Sequence, residues 1–143
     1  MATNTAKPSL LIAKDELLSN PSITIHASGA ETATHNNDDA TNYISKGVRL
    51  FLDITAAAGT SPTLDIKVQV KDSLTGNYHD MTGAAFAQKT TTGTDELIIY
   101  PGIGETTNKA VSDVLSRTWR TVGTITGSAG QTFTYTLNAE YIQ

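Results

Sequence analysis

The chain predicts an all-β domain, an antiparallel β-sandwich or jelly roll of about seven or eight strands behind an N-terminal arm. Three runs with a period of two carry that expectation. Phe133, Tyr135, Leu137, Ala139 and Tyr141 alternate with Thr132, Thr134, Thr136, Asn138 and Glu140. Val48, Leu50, Leu52 and Ile54 alternate with Arg49, Phe51, Asp53 and Thr55, and Leu64, Ile66, Val68 and Val70 alternate with Asp65, Lys67, Gln69 and Lys71. Successive side chains of a strand point to opposite faces, so each run has one face for a core and one polar or mixed face. Threonine is the usual polar partner, and β-branched side chains suit the pleat.

The elements follow in order. Residues 1–21 read as the arm and 22–143 as the domain. Met1 to Ser9 is small and polar, whereas Leu10 to Ser19 has near-helical spacing but stops at Asn20-Pro21, which disfavours helix. Ser22 to Ala27 alternates, with Ile23 and Ile25 on one face and Thr24 and His26 on the other. Gly29 to Asn42 is polar and reads as a long loop, as does the AAAGTSP stretch after Thr55. Gly76 in SLTGN supplies a turn, with Tyr78 to Thr82 returning as a hairpin. Gly93 is the expected positive-φ residue of a turn at Thr90 to Thr94. Val111, Val114 and Leu115 have helical spacing, so Asn108 to Ser116 is either a short crossover helix or an irregular connection. Arg117 to Thr126 resumes as a strand, and Gly127 to Gly130 turns it into the last one.

Composition narrows the function classes. A length of 143 residues suits one core, and 38% hydrophobic with 17% charged residues fits a folded soluble chain. The net charge of -4 argues against broad nucleic-acid attraction, which needs clustered Lys and Arg. There is no cysteine, hence no disulfide, thiolate site or Cys nucleophile, as expected of a protein made in a reducing cytoplasm. Leu10-Leu11-Ile12-Ala13 is too short for a signal-peptide core or a membrane span.

No catalytic, cofactor or metal site is legible. His26, His35 and His79 match no ligand spacing, and a zinc site needs three or four converging ligands. Asn36-Asn37-Asp38-Asp39 offers oxygen ligands but lacks the pattern of a calcium loop, so a chelator is expected to leave the melting temperature unchanged. There is no nucleophile elbow, phosphate loop or dinucleotide fingerprint. Asp95 and Glu96 are adjacent, so they face opposite ways and read as solvent-facing charge at a strand start. Trp119 is expected in the core rather than as a sugar platform. Arg117 and Arg120 lie on different faces as rim residues, with Asp113 a partner for Arg117.

From about Asn42 onward the ordered pieces SKGVRLFLDIT, VQVKDSLTGNYHDMTGAAF, IIYPGIGETTN, DVLSRTWR and FTYTLNAEYI resemble a family of small tailed-bacteriophage virion structural proteins. Ser116 stands where that pattern leads one to expect proline. The resemblance implies a capsid decoration (cement) protein that works without enzymatic activity or cofactor. It would be made in the host cytoplasm and sit on the capsid surface of the virion. The implied partners are the major capsid protein and copies of itself in a homo-oligomer, a trimer being favoured, with no nucleic acid and no membrane. Multivalent contact would stabilise neighbouring capsomers. Competing expectations are a tail, neck or fibre component of the virion, a carbohydrate-binding β-sandwich module and, last, an enzyme. The arm carries the candidate partner-binding residues Leu10, Leu11, Ile12, Leu17 and Leu18, which either order on a neighbouring subunit or pack on their own domain.

Overall fold

A computed structural model describes residues 21–143. Among these residues there is no helix. The described residues form ten strands: β1 (Ser22–Glu31), β2 (His35–Asn36), β3 (Ala40–Thr41), β4 (Gly47–Thr60), β5 (Thr63–Lys71), β6 (Tyr78–Ala85), β7 (Gly93–Ile99), β8 (Ala110–Val111), β9 (Thr118–Thr126) and β10 (Ala129–Ile142). One sheet runs β1-β10-β4-β7-β8, the other β2-β9-β5-β6, with β3 also paired to β9. All pairings are antiparallel except β7 with β8.

The period-two runs fold as their spacing predicts. In the first sheet Leu137 pairs with Leu52, Ala139 with Leu50 and Tyr141 with Val48, while Leu97 and Ile99 flank Leu50 and Val48 from the other side. In the second, Leu64 pairs with Ile125 and Val70 with Trp119. The inward residues of both sheets form one hydrophobic core, with Trp119, Phe133 and Tyr135 fully buried. Large aromatic side chains supply much of the apolar area such a core removes from water. Trp119 donates its indole N–H to the Tyr141 hydroxyl at 3.2 Å, and that hydroxyl donates to the Thr41 carbonyl at 3.0 Å. The hydrogen bonds offset the cost of burying these polar ends.

Several expectations need correction. Gly29 to Asn42 is not one long loop: β1 runs on to Glu31, and β2 and β3 add to the edge of β9. AAAGT is strand, because the long β10 supplies pairing partners out to Thr60 and overrides the weak strand propensity of Ala and Gly. Residues 108–116 hold no helix; Ala110 and Val111 pair with β7, and Leu115 buries itself against the core. Gly76 and Gly93 do take positive φ. Gly47 has a different constraint: a Cβ there would lie 2.0 Å from the Ile99 carbonyl oxygen.

Asp95 is the clearest departure. It occupies the inward phase of Leu97 and Ile99, and its side chain is only 2% exposed. Burial alone would raise its pKa, but hydrogen bonds from Lys109 and Lys89 and from the Glu96 N–H outweigh that and hold it below the ordinary carboxylate range. Glu96 faces out, 3.7 Å from Arg49.

Candidate functional site

The sequence places His26 on a strand and His35 in a loop, but the fold brings these two histidines together. Strand β1 contains a bulge, because Thr24 pairs with Asn138 and His26 with Leu137, so Ile25 and His26 together oppose one residue. The bulge breaks the simple alternation. Ile25 packs at the core margin and His26 is buried, although plain period-two phasing puts His26 on the wet face with Thr24. After Glu31 the chain leaves the first sheet and enters the second at His35, whose partner on β9 is Gly123.

The result is a compact group of His26, Glu31, His35 and Tyr135. The His26 ring stacks on Tyr135 with centroids 4.1 Å apart. His26 Nδ1 lies 3.1 Å from the Tyr135 carbonyl oxygen, and Nε2 lies 3.1 Å from Glu31 Oε1. His35 Nδ1 lies 3.0 Å from the Ala33 carbonyl oxygen and 3.9 Å from Glu31 Oε2, while its Nε2 meets the Tyr135 hydroxyl. Burial pushes the Tyr135 pKa well up, so the phenol keeps its proton. Gly123 makes room for the group: a Cβ there would come within 2.6 Å of His35 Cε1 and 2.9 Å of the Tyr135 hydroxyl oxygen. One ligand atom from each of His26, Glu31 and His35 falls within 4.8 Å of the others. The three residues span only ten positions, so their closeness was available in the sequence. Their convergence depends on a bulge and a change of sheet, which no local pattern signals.

His79 stands apart on β6 and is exposed. The acidic loop is engaged elsewhere. Asn37 donates to the Thr121 hydroxyl at 2.7 Å, and Asp39 accepts from Lys71 at 3.0 Å and from the Tyr78 hydroxyl at 2.6 Å. The Tyr78 bond, followed by the Lys71 bond, holds the Asp39 pKa below its ordinary value. Arg120 lies over the Tyr78 ring, 3.4 Å from its centroid, and donates to Gln69. Asp113 accepts from the Val114 N–H, and among the described residues it makes no ion pair with Arg117.

Three exposed apolar side chains lie at one end of the two sheets, on loops joined by hydrogen bonds. Tyr43, Ile44 and Val114 are 75%, 53% and 60% exposed. They sit on two loops laced together, with Asn42 donating to the Arg117 and Leu115 carbonyls and the Leu115 N–H donating to the Lys46 carbonyl. Pro21 is at the same end: its carbonyl accepts from Tyr141, and the adjacent Ile142 carbonyl accepts from Lys46. The chain therefore enters the domain beside these side chains. The candidate partner-binding residues of the arm, Leu10, Leu11, Ile12, Leu17 and Leu18, lie outside the described residues. No protein-family model and no curated protein matches the chain.

Proposed function

We propose that the two sheets form a jelly-roll sandwich and that the chain is a structural protein of a bacteriophage particle, a decoration protein that binds the outer shell without catalysis. The observation that carries the reading is the strand order. Counting β2 with β3 as one interrupted strand and leaving aside the two-residue β8, the remaining strands fall in the orders first-eighth-third-sixth and second-seventh-fourth-fifth. That order supports a double-sheet jelly roll, a fold used in viral capsids and also in lectins and cupins. The role is inferred from the fold by analogy, together with the resemblance of the ordered motifs to those of small virion proteins.

The exposed apolar end supplies a docking surface consistent with this role. Tyr43, Ile44 and Val114 offer an aromatic and two branched side chains at the place where the arm joins the domain. An exposed group of this kind marks a contact surface, and copies bound side by side add their contacts. A sugar platform is less well supported, since Trp119 is buried and Arg120 covers the Tyr78 ring.

The test is to purify particles from cells that carry the gene, identify their proteins by mass spectrometry and locate this chain with gold-labelled antibody. The reading expects many copies on the head. Label on the tail, neck or fibres would favour the alternative virion role, and absence from the particles would overturn both.

A further inference from the structure

We propose that His26, Glu31 and His35 form a binding site for a late first-row divalent cation of the zinc type. The ligands are Nε2 of His26, a carboxylate oxygen of Glu31 and Nδ1 of His35. This is independent of the role proposed above, and it reverses the expectation that a chelator leaves stability unchanged.

His26 is the most buried of the three. Its Nδ1 faces a backbone carbonyl oxygen, so the ring proton belongs there. That tautomer turns the Nε2 lone pair toward the Glu31 carboxylate, 3.1 Å away. Either a proton on Nε2 or a metal cation fills the space between the two atoms, and the cation can displace the proton. A ring N–H donated to a backbone carbonyl, with the opposite nitrogen facing a carboxylate, is the usual setting of a metal-bound histidine.

The spacing is close to what zinc requires. Zinc bonds to imidazole nitrogen and carboxylate oxygen are about 2.0–2.1 Å long, so tetrahedral ligand atoms stand about 3.3 Å apart. His26 Nε2 lies 3.1 Å from Glu31 Oε1 and His35 Nδ1 lies 3.9 Å from Glu31 Oε2, and one ligand atom from each of the three residues falls within 4.8 Å of the others, so the set must contract by about an ångström to bind the ion. A small rotation of His35 closes the set. Its Nδ1 then gives up the Ala33 carbonyl and its proton, and the ring takes the other tautomer, with Nε2–H donating to the Tyr135 oxygen already beside it. Gly123 leaves the space for that ring.

The donors also indicate which cation. Two imidazoles and one carboxylate suit zinc, nickel or copper, whereas magnesium and calcium prefer oxygen cages. Glu31 is 34% exposed, which leaves an approach from solvent and a coordination position for water. The bound ion would tie the edge strand β1 of one sheet to the edge strand β2 of the other. It would act as a clip across the seam of the domain.

The experiment uses the full chain after chelator treatment and dialysis. Zn²⁺ is titrated by calorimetry, and melting is followed with Zn²⁺, with Mg²⁺ and with neither. We expect one Zn²⁺ per chain, and a rise in the melting midpoint of about 5–10 °C at a free concentration one hundred times Kd. Mg²⁺ should give no shift. His35→Ala should weaken Zn²⁺ binding more than about 100-fold, since even loss of an outer-shell partner costs 10- to 100-fold. His79→Ala should bind as the wild type does. Circular dichroism of each metal-free variant checks that it is folded. If His35→Ala is unfolded, Glu31→Gln takes its place, and imidazole ¹⁵N shifts of the wild type must move at His26 Nε2 and His35 Nδ1 on adding Zn²⁺. No stoichiometric binding to the wild type, unchanged binding by a folded His35→Ala or Glu31→Gln, or unmoved imidazole shifts would each overturn the proposal.

Discussion

Replacing Asp95 by alanine removes a carboxylate that accepts hydrogen bonds from two lysines and one backbone N–H. Its side chain is 2% exposed, while those of Lys89 and Lys109 are 24% and 53% exposed. Breaking a buried pair costs about 3–5 kcal/mol when the abandoned charge stays buried. Here both ammonium groups can reach water, so the cost falls to about 2–3 kcal/mol. At about 2.1 cal/mol/K per residue, a chain of 143 residues has an unfolding entropy near 0.3 kcal/mol/K, so the midpoint should drop by about 7–10 °C. The pH dependence has a definite sign. A carboxylate whose folded pKa is depressed contributes stability above its unfolded pKa and loses it as pH falls through the folded value. Thermal melts of wild type and Asp95→Ala should therefore differ most at neutral pH and converge as the medium is acidified below the ordinary carboxylate range. A variant melting within about 2 °C of wild type at neutral pH, or a gap that persists at the lowest pH, would refute the reasoning, since about 7–10 °C is expected.

Other substitutions test separate parts of the account. Ile66 is fully inside, so Ile66→Asp buries an unpaired charge and should abolish folding. Lys67→Asp on the opposite face, which loses the surface pair with Asp80, should cost no more than about 1 kcal/mol in a urea melt. Gly123→Ala forces a methyl group against His35 and Tyr135 and should destabilise by about 1–3 kcal/mol, with the imidazole NMR signals displaced. Deleting residues 1–19 should leave a folded domain by circular dichroism but abolish self-association in analytical ultracentrifugation.

The alternation of β4, β5 and β10 made the inward faces readable, and Val48, Leu50, Leu64, Phe133 and Leu137 are all buried as their phase requires. Period two is a local property, so it survives in a single sequence. What could not be read locally depends on partners. Ala56 to Thr60 is strand because β10 reaches that far, and β2, β3 and β8 exist only as additions to longer neighbours. Asp95 looked like surface charge because the two lysines that neutralise it lie at positions 89 and 109. The His26 cluster was hidden by a bulge that depends on the register with β10. Strict alternation assigns His26 to the wrong face, and nothing in residues 22–31 corrects it. The exposure of Tyr43, Ile44 and Val114 likewise depends on the meeting of two loops far apart in sequence, one at Asn42 and the other at Leu115.

Shell binding tests the central claim most directly. Particles lacking this protein are mixed with the full chain, sedimented and assayed for bound protein over a range of concentrations. The account predicts saturable binding by the wild type. It also predicts strong loss of binding in a Tyr43→Ser, Ile44→Ser, Val114→Ser variant that melts like the wild type, because these side chains are already exposed and contribute little to folding. Wild-type protein that stays in the supernatant at every concentration, or a folded triple variant that binds undiminished, would contradict it.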